Sequence, residues 1–247
     1  MTEYTSIPGY CLNLIRGIAR KYDTPVPLSE FLIVDTFHVS MLEFKPCENF
    51  PYLKGIVVDF RYVPKEIIHQ NNEIIVDEDD ETVKGIYLNG YNISGLRTLD
   101  SPCTIRNAPD FESESYLHMI VKGSEIKPLI NALNTKNDYQ LCYYRDEDNS
   151  VFALIDDTNK KVICSCPIGE CGSMISAIYP IDYMKAVKPI MPNGDIELII
   201  GNDSPIAFRW KDNAGNQYTY GVAPRVTDEG WFGKYKDKFT FEVKKVG

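Results

Sequence analysis

Four short stretches of helical periodicity recur at matched spacing along this chain, and the residues between them alternate and turn like a β meander. Residues 8–21 carry Cys11, Leu14, Ile15 and Ile18 at the i, i+3, i+4, i+7 positions of an amphipathic helix, with Pro8 suited to the first turn. Gly9, Asn13, Arg16 and Arg20 fall on the opposite face. A second short helix is predicted over 63–70, opened by Pro64, and a third over 124–134, with Ser124 as N-cap and Pro128 distorting the first turn. The fourth, over 181–191, sets Tyr183, Met184, Val187 and Met191 in one stripe and Asp182, Lys185 and Lys188 in another. The first pair of helices is separated by nearly the same length as the second pair. This predicts two copies of one unit built as helix, strands, helix, strands.

The intervening strand runs are 31–44, 55–60, 73–76, 84–88, 116–121, 139–144, 151–155, 161–166, 195–200, 206–210 and 217–222. Where the two copies meet, the chain reads Leu99-Asp100-Ser101-Pro102-Cys103-Thr104-Ile105-Arg106-Asn107-Ala108-Pro109, with two prolines and neither periodicity, which suits an extended linker. A length of 247 residues accommodates one large domain or two of about 120 residues. At 44% apolar and 25% charged residues it reads as soluble and globular. No apolar run approaches the ~20 residues that span a bilayer, and residues 1–6 carry an acid and no basic cluster, so nothing points to export or a membrane. Seven cysteines, an odd number, indicate free thiols in a reducing compartment, cytoplasm or nucleus.

The formal charge of −9 argues against a broad basic face. The sign is segregated, however. Asp77 to Glu81 is an acidic run read as a solvated turn, whereas residues 7–22 hold Arg16, Arg20 and Lys21 and no acid.

Near the C-terminus, Gly201-Asn202-Asp203-Ser204-Pro205 is followed about twenty residues later by Val222-Ala223-Pro224-Arg225-Val226, and both follow Tyr183-Met184-Lys185-Ala186-Val187-Lys188. With Val34-Asp35-Thr36-Phe37-His38-Val39-Ser40-Met41 and Gly55-Ile56-Val57-Val58-Asp59 in the first half, this ordered set resembles the DNA sliding clamps of the PCNA family, from about residue 8 to residue 226. The resemblance implies an α+β, ring-forming DNA clamp fold of two similar domains, each with antiparallel sheets and two helices. The domains would cover 1–98 and 116–226, joined by a connector over 99–115 and followed by an extension over 227–247. The implied function is to encircle duplex DNA without reading its sequence and to tether polymerase and other replication or repair proteins as a processivity factor. Partners would be a clamp loader, client proteins with a clamp-binding motif, and self or paralogous subunits in a trimer. No catalysis, cofactor, metal or membrane is expected, and the protein would be cytoplasmic in an archaeon or virus and nuclear in a eukaryote.

Clamp helices turn inward, so the resemblance assigns Arg16, Arg20, Lys21, Lys65, Lys127, Lys185 and Lys188 to the DNA path, where lysine and arginine attract phosphates with no base readout. It assigns Val34, His38, Val39, Met41, Ile105, Pro205, Ala223 and Pro224 to a pocket for partner peptides. Gly221 departs from the bulky residue common there, which implies a shallower pocket. The other histidines, His69 and His118, have no metal-ligand spacing. Two further readings stand beside this one: a specialised subunit of a heterotrimeric or checkpoint-type clamp, and a thiol- or metal-dependent protein using Cys164, Cys166 and Cys171, with Cys142 as a fourth ligand. The extension, with Trp231, Phe232, Tyr235, Phe239 and Phe241 and an alternating run over 238–243, predicts an added edge strand.

Overall fold

The computed structural model describes residues 2–34, 39–47, 53, 55–79, 82–97, 109–131, 139–148, 150–156, 161–167, 172–173, 175–180, 183, 188 and 190–225. The chain divides into two compact units, Met1–Arg106 with Lys211–Tyr218, and Asn107–Trp210 with Thr219–Gly247. The first contains β1 (Thr2–Pro8), α1 (Gly9–Tyr22), β2 (Val26–Pro27), β3 (Phe31–Val34), β4 (Ser40–Lys45), β5 (Ile56–Val58), a 3-10 turn (Lys65–Ile67), β6 (Asn71–Asp79), β7 (Thr82–Leu88), β8 (Tyr91–Ile93) and β9 (Gly95–Arg97). The second contains β10 (Leu117–Lys122), α2 (Gly123–Asn131), β11 (Tyr139–Arg145), β12 (Ser150–Asp156), β13 (Lys161–Pro167), β14 (Ile175–Pro180), β15 (Asp195–Ile200) and β16 (Ile206–Lys211). Unit boundaries fall between Trp210 and Lys211, at the end of β16, and inside β17 (Gln217–Val222).

The two units repeat one another pairing by pairing, all antiparallel. In the first, β1 pairs with β6 and β6 with β7; in the second, β10 pairs with β15 and β15 with β16. Likewise β2 with β5 and β3 with β4 correspond to β11 with β14 and β12 with β13. The second unit also pairs β11 with β12, giving a sheet in the order β13-β12-β11-β14. Strand alternation builds the cores: Asn72, Ile74 and Val76 of β6 are buried while Glu73, Ile75 and Asp77 are half-buried. β7 turns into β8 through Asn89-Gly90, both at positive φ, the geometry of a two-residue type I′ hairpin.

Helix α1 forms because its apolar residues share one stripe. Cys11, Leu12, Ile15, Ile18, Ala19 and Tyr22 are buried, and Tyr10, Asn13, Gly17, Arg20 and Lys21 are exposed. Burying an aliphatic side chain such as Leu12 or Ile15 contributes about 1.5–3 kcal/mol, which outweighs what helix propensity alone supplies. The helix stops where Asp23 turns left-handed and returns its N–H to the Ala19 carbonyl, with Pro25 just beyond.

Helices α1 and α2 each begin at a glycine seated on a carbonyl. A Cβ at Gly9 would lie 2.0 Å from the His69 oxygen, and one at Gly123 would lie 2.0 Å from the Pro192 oxygen. The same close approach lets Gly9 N–H donate to the Gln70 carbonyl at 2.8 Å and Gly123 N–H to that of Gly194 at 2.9 Å. Each contact ties the start of a helix to the residues that lead into the strand paired with its own preceding strand, β6 for α1 and β15 for α2.

The structure changes several expectations. Over 63–70 it has only the single 3-10 turn, because side-chain amides claim the backbone groups that a helix would use. Asn89 Nδ2 donates to the Ile67 carbonyl at 2.8 Å, Asn72 Nδ2 to that of His69 at 2.9 Å, and His69 N–H donates to Asn72 Oδ1 at 2.7 Å. The acidic run is not wholly a solvated turn either. Strand β6 continues through Asp79, burying Glu78, and Asp79 pairs with Lys84 at 2.8 Å. The run 31–44 is two strands, and β1, β2, β8, β9 and β14 were not expected. The third helix begins at Gly123 and carries Pro128 inside it. Of 181–191, only Tyr183, Lys188, Ile190 and Met191 are described, with Tyr183 helical; of the connector over 99–115 only residues 109–115 are described, and the extension over 227–247 lies outside the described residues.

The glycine contacts predict opposite effects of one substitution. Gly9→Ala and Gly123→Ala should each destabilise by about 2 kcal/mol or more, since backbone must shift to relieve the overlap. Gly17→Ala, exposed on α1 with nothing within 4 Å of the added Cβ, should stabilise by about 0.5–1 kcal/mol. Urea denaturation of the three variants checks both signs.

Candidate nucleic-acid interface and peptide site

The basic face of α1 is braced by the segment between β5 and the 3-10 turn. Arg16 Nε donates to the Val63 carbonyl at 2.7 Å, and Arg20 Nε to the Arg61 carbonyl at 2.9 Å. Arg61 reaches the end of the helix, where its Nη1 donates to the carbonyl and carboxylate of Asp23 at 2.9 and 3.0 Å. Its other two nitrogens, Nε and Nη2, form a two-point pair with Asp59, both at 2.7 Å. Those hydrogen bonds hold the Asp59 carboxyl below the usual carboxylate range despite its partial burial. Desolvation, and then the charge of Arg20, lower the Arg16 guanidinium from its ordinary value, although an arginine remains charged throughout the working range.

Of the residues assigned to the DNA path, Arg20, Lys21 and Lys65 are exposed and Arg16 is half-buried. In the first unit Arg16 and Arg20 hold the carbonyls of Val63 and Arg61, just ahead of Lys65, and Lys21 follows Arg20 on α1. In the second unit Lys127 Nζ donates to Asn193 Oδ1 at 2.7 Å, and the exposed face of α2 shows Ser124, Glu125 and Pro128. Lys188 is half-buried in a turn, and Lys185 lies outside the described residues. Sequence reading missed Arg61 and Asp59, which the strand-to-turn junction places but no periodicity marks.

The peptide-pocket residues fall in two groups. In the first unit Val34 and Met41 sit opposite one another at the loop end of the β3–β4 hairpin, Val39 beside them; Met41 is 8% exposed, so it is chiefly a packing residue. In the second, Pro205, Ala223 and Pro224 are half-buried, and the edge of β14 away from β11 organises them. Ser176 N–H donates to Asn202 Oδ1 at 3.1 Å and its carbonyl accepts from Asp203 N–H at 3.2 Å. The Ile178 carbonyl accepts from Arg225 N–H at 2.8 Å, and the buried Tyr179 donates its hydroxyl to the Ser204 carbonyl at 2.9 Å. Thus one strand pins both the turn that ends in Pro205 and the segment of Ala223 and Pro224. His38 and Ile105 lie outside the described residues.

Cys142 does not share a strand face with Cys164 and Cys166. In the pairing register Cys142 stands opposite Ala153, whereas Cys164 and Cys166 stand opposite Leu154 and Phe152, so Cys142 has the other strand parity and cannot complete a set with them. Burial also pushes the Cys142 thiol well up from its ordinary value. Cys171 lies outside the described residues; among those described, no group of three or more His, Cys, Asp or Glu side chains could hold a metal ion. No helix among them is long and apolar enough to cross a membrane.

The α+β fold of the chain is matched by known structures. No protein family's sequence profile matches the chain, and no curated protein matches its sequence. Solved structures do match. The A. fulgidus PCNA bound to the C-terminal region of FEN-1 superposes with a TM-score of 0.65 at 16% identity, covering 93% of this chain and 100% of that one. A chain of the PCNA2–PCNA3 complex from Sulfolobus tokodaii gives 0.63 at 11% identity, covering 90% and 99%, and PCNA from Thermococcus kodakaraensis gives 0.62 at 12%, covering 91% and 100%. The protein has the α+β fold of the sliding clamps. Within that class it is PCNA of the archaeal type that it is similar to.

The Asp59–Arg61 pair gives a pH-dependent prediction. A carboxyl held low in the folded state stabilises it fully above the unfolded value of about 3.9, and this contribution is lost as pH falls through the depressed folded value. Asp59→Asn should therefore cost roughly 1–3 kcal/mol near neutral pH, and the difference from wild type should close below about pH 4. Denaturation curves measured across that range check it.

Proposed function

We propose that this chain is a subunit of a sliding clamp that encircles duplex DNA and tethers polymerase and other replication or repair proteins, without catalysing a reaction. The observation that carries this reading is the clamp fold, shared over at least nine tenths of the chain with three PCNA structures. Local chemistry supports it: in a chain of net charge −9, the exposed residues Arg20, Lys21 and Lys65 gather around one helix face. Such a face attracts phosphates through counterion release and reads no bases, which is what a protein that moves along DNA requires. Of the assigned DNA-path residues, Arg16, Lys127, Lys185 and Lys188 complete the proposed set. The connector over 99–115 would link the two domains, and no cofactor is needed; a loader ATPase would open the closed ring.

The partner site is proposed at Val34, His38, Val39, Met41, Ile105, Pro205, Ala223 and Pro224. One neighbour is a clamp bound to the C-terminal region of FEN-1, which supports a peptide-binding surface here. Another is a complex of PCNA2 with PCNA3, and this favours a second form of the proposal, in which the ring is a trimer built with paralogous subunits in place of three copies. The compartment would be the cytoplasm, or the nucleus in a eukaryote.

Lys21→Glu with Lys65→Glu should abolish stimulation of a polymerase on primed circular DNA while leaving the circular dichroism spectrum and melting temperature unchanged. Its residual DNA binding should lose about 0.9 from the log–log salt slope for each phosphate contact removed. Undiminished stimulation would show that this face is not on the DNA path. Ala223→Asp should weaken a peptide of the Gln-x-x-aliphatic-x-x-aromatic-aromatic type by roughly tenfold or more, through a charge placed among apolar contacts; titration calorimetry with equal affinities would move the peptide elsewhere.

A further inference from the structure

We infer that Tyr62 is a stacking platform for an unpaired base of DNA beside the duplex, so that this chain favours a junction of single and double strands over plain duplex. The inference rests on the DNA-binding reading and adds a ligand subsite to it. Tyr62 is 75% exposed, more than Tyr10, Tyr91 or Ile120, the other exposed large apolar residues among those described. Yet the backbone that carries it is fixed. Phe60 and Val63, on either side, are 0% and 3% exposed, and Val63 N–H donates to the Phe60 carbonyl at 3.3 Å. The carbonyls of Arg61 and Val63, which flank Tyr62, are each held by a guanidinium of α1, from Arg20 and Arg16 respectively. An aromatic ring is thus presented to solvent on a short, braced knuckle.

One side of that ring has a partner. The Arg61 guanidinium carbon lies 5.3 Å from the ring centroid and is itself pinned by Asp59 and Asp23, so the pair is ordered before any ligand arrives. Stacking a planar group on an ordered aromatic loses little side-chain entropy. The chemistry around the ring selects the occupant. Arg20, Lys21 and Lys65 are exposed nearby, against the acids Asp23 and Glu66, which leaves a local excess of positive charge. A positively charged track with an aromatic face is the combination that holds single-stranded nucleic acid, the cations on phosphates and the ring on a base. A duplex keeps its bases stacked on one another and would meet only the cations.

The test is fluorescence anisotropy of the full chain with a short linear duplex and with the same duplex bearing a single-stranded overhang that contains 2-aminopurine. Tyr62→Ala should weaken binding to the overhang DNA by roughly five- to a hundredfold, leave the blunt duplex within about twofold, and abolish the quenching of 2-aminopurine. Tyr62→Phe should behave as wild type. Because the ring is neutral, the plots of log affinity against log salt for wild type and Tyr62→Ala should be parallel, whereas losing a phosphate contact changes the slope. Equal weakening of both DNAs, a changed slope, or no change on either DNA overturns the inference while leaving the clamp reading in place. A wild-type chain that binds neither DNA overturns the inference as well, while the clamp reading, which requires loading of the ring, stands or falls by DNA topology. Unchanged DNA binding by Tyr62→Ala together with weakened binding of a clamp-motif peptide also overturns it, and makes the ring a contact for protein.

Discussion

A helix in each unit starts where no side chain fits, and the placement of the basic face of α1 follows from that contact. Gly9 brings the first turn of α1 directly onto the residues that enter β6, and β6 pairs along its length with β1, the strand that leads into the same helix. The helix can leave the sheet in only one direction. Its far end is closed by Arg61, which binds the Asp23 carbonyl just past the last turn, where a cation also complements the helix dipole. Held at both ends, α1 must bury Leu12, Ile15 and Ala19 and must turn Asn13, Gly17 and Arg20 outward. Gly123 makes the corresponding contact for α2.

The arginines of this face serve two purposes at once. Arg16 and Arg20 each give Nε to a backbone carbonyl of the neighbouring segment, which would otherwise face the helix with unsatisfied acceptors. Lysine could not replace them without losing this, because its single ammonium cannot hold a carbonyl and keep a planar group with further donors pointed elsewhere. Structure and charge are therefore coupled: removing Arg16 or Arg20 disturbs the knuckle at Tyr62 as well as the potential, whereas Lys21 and Lys65 contribute charge from exposed positions.

Much of this was legible in the residues, for reasons that can be stated. The stripe of Cys11, Ile15 and Ile18 marks α1 because burial of one face is what forms it, and the runs at 195–200, 206–210 and 217–222 became β15, β16 and β17 almost to the residue. Strand pairings do repeat between the units, but of the helices whose spacing predicts a repeat the second is a 3-10 turn and the fourth lies mostly outside the described residues. What failed had competing local chemistry. The 63–70 stretch has apolar residues for a helix, but Asn72 and Asn89, further along the chain, take its carbonyls, and no window centred on the helix shows that. Strand β8 escaped notice although Asn89-Gly90 is a strong hairpin signal, and β14 was absorbed into a connection between a cysteine-rich strand and a helix. Of the candidate site, Arg20, Lys21, Pro205 and Ala223 are proposed from pattern and resemblance, whereas Arg61, Asp59 and Tyr62 sit at a strand end where spacing carries no information. Strand parity, invisible before the register is known, separates Cys142 from Cys164 and Cys166.

The central claim is that the chain works by encircling DNA, and topology tests it most directly. The protein, loaded with its partner subunits by a clamp loader and ATP onto a nicked circular plasmid, is washed in high salt and the plasmid is then linearised. Encirclement predicts that the protein stays on the circle through the wash and slides off once an end is cut. Loss in the wash from circular and linear DNA alike would contradict it, because a protein held only by contacts to phosphates is released by salt whatever the topology of the DNA.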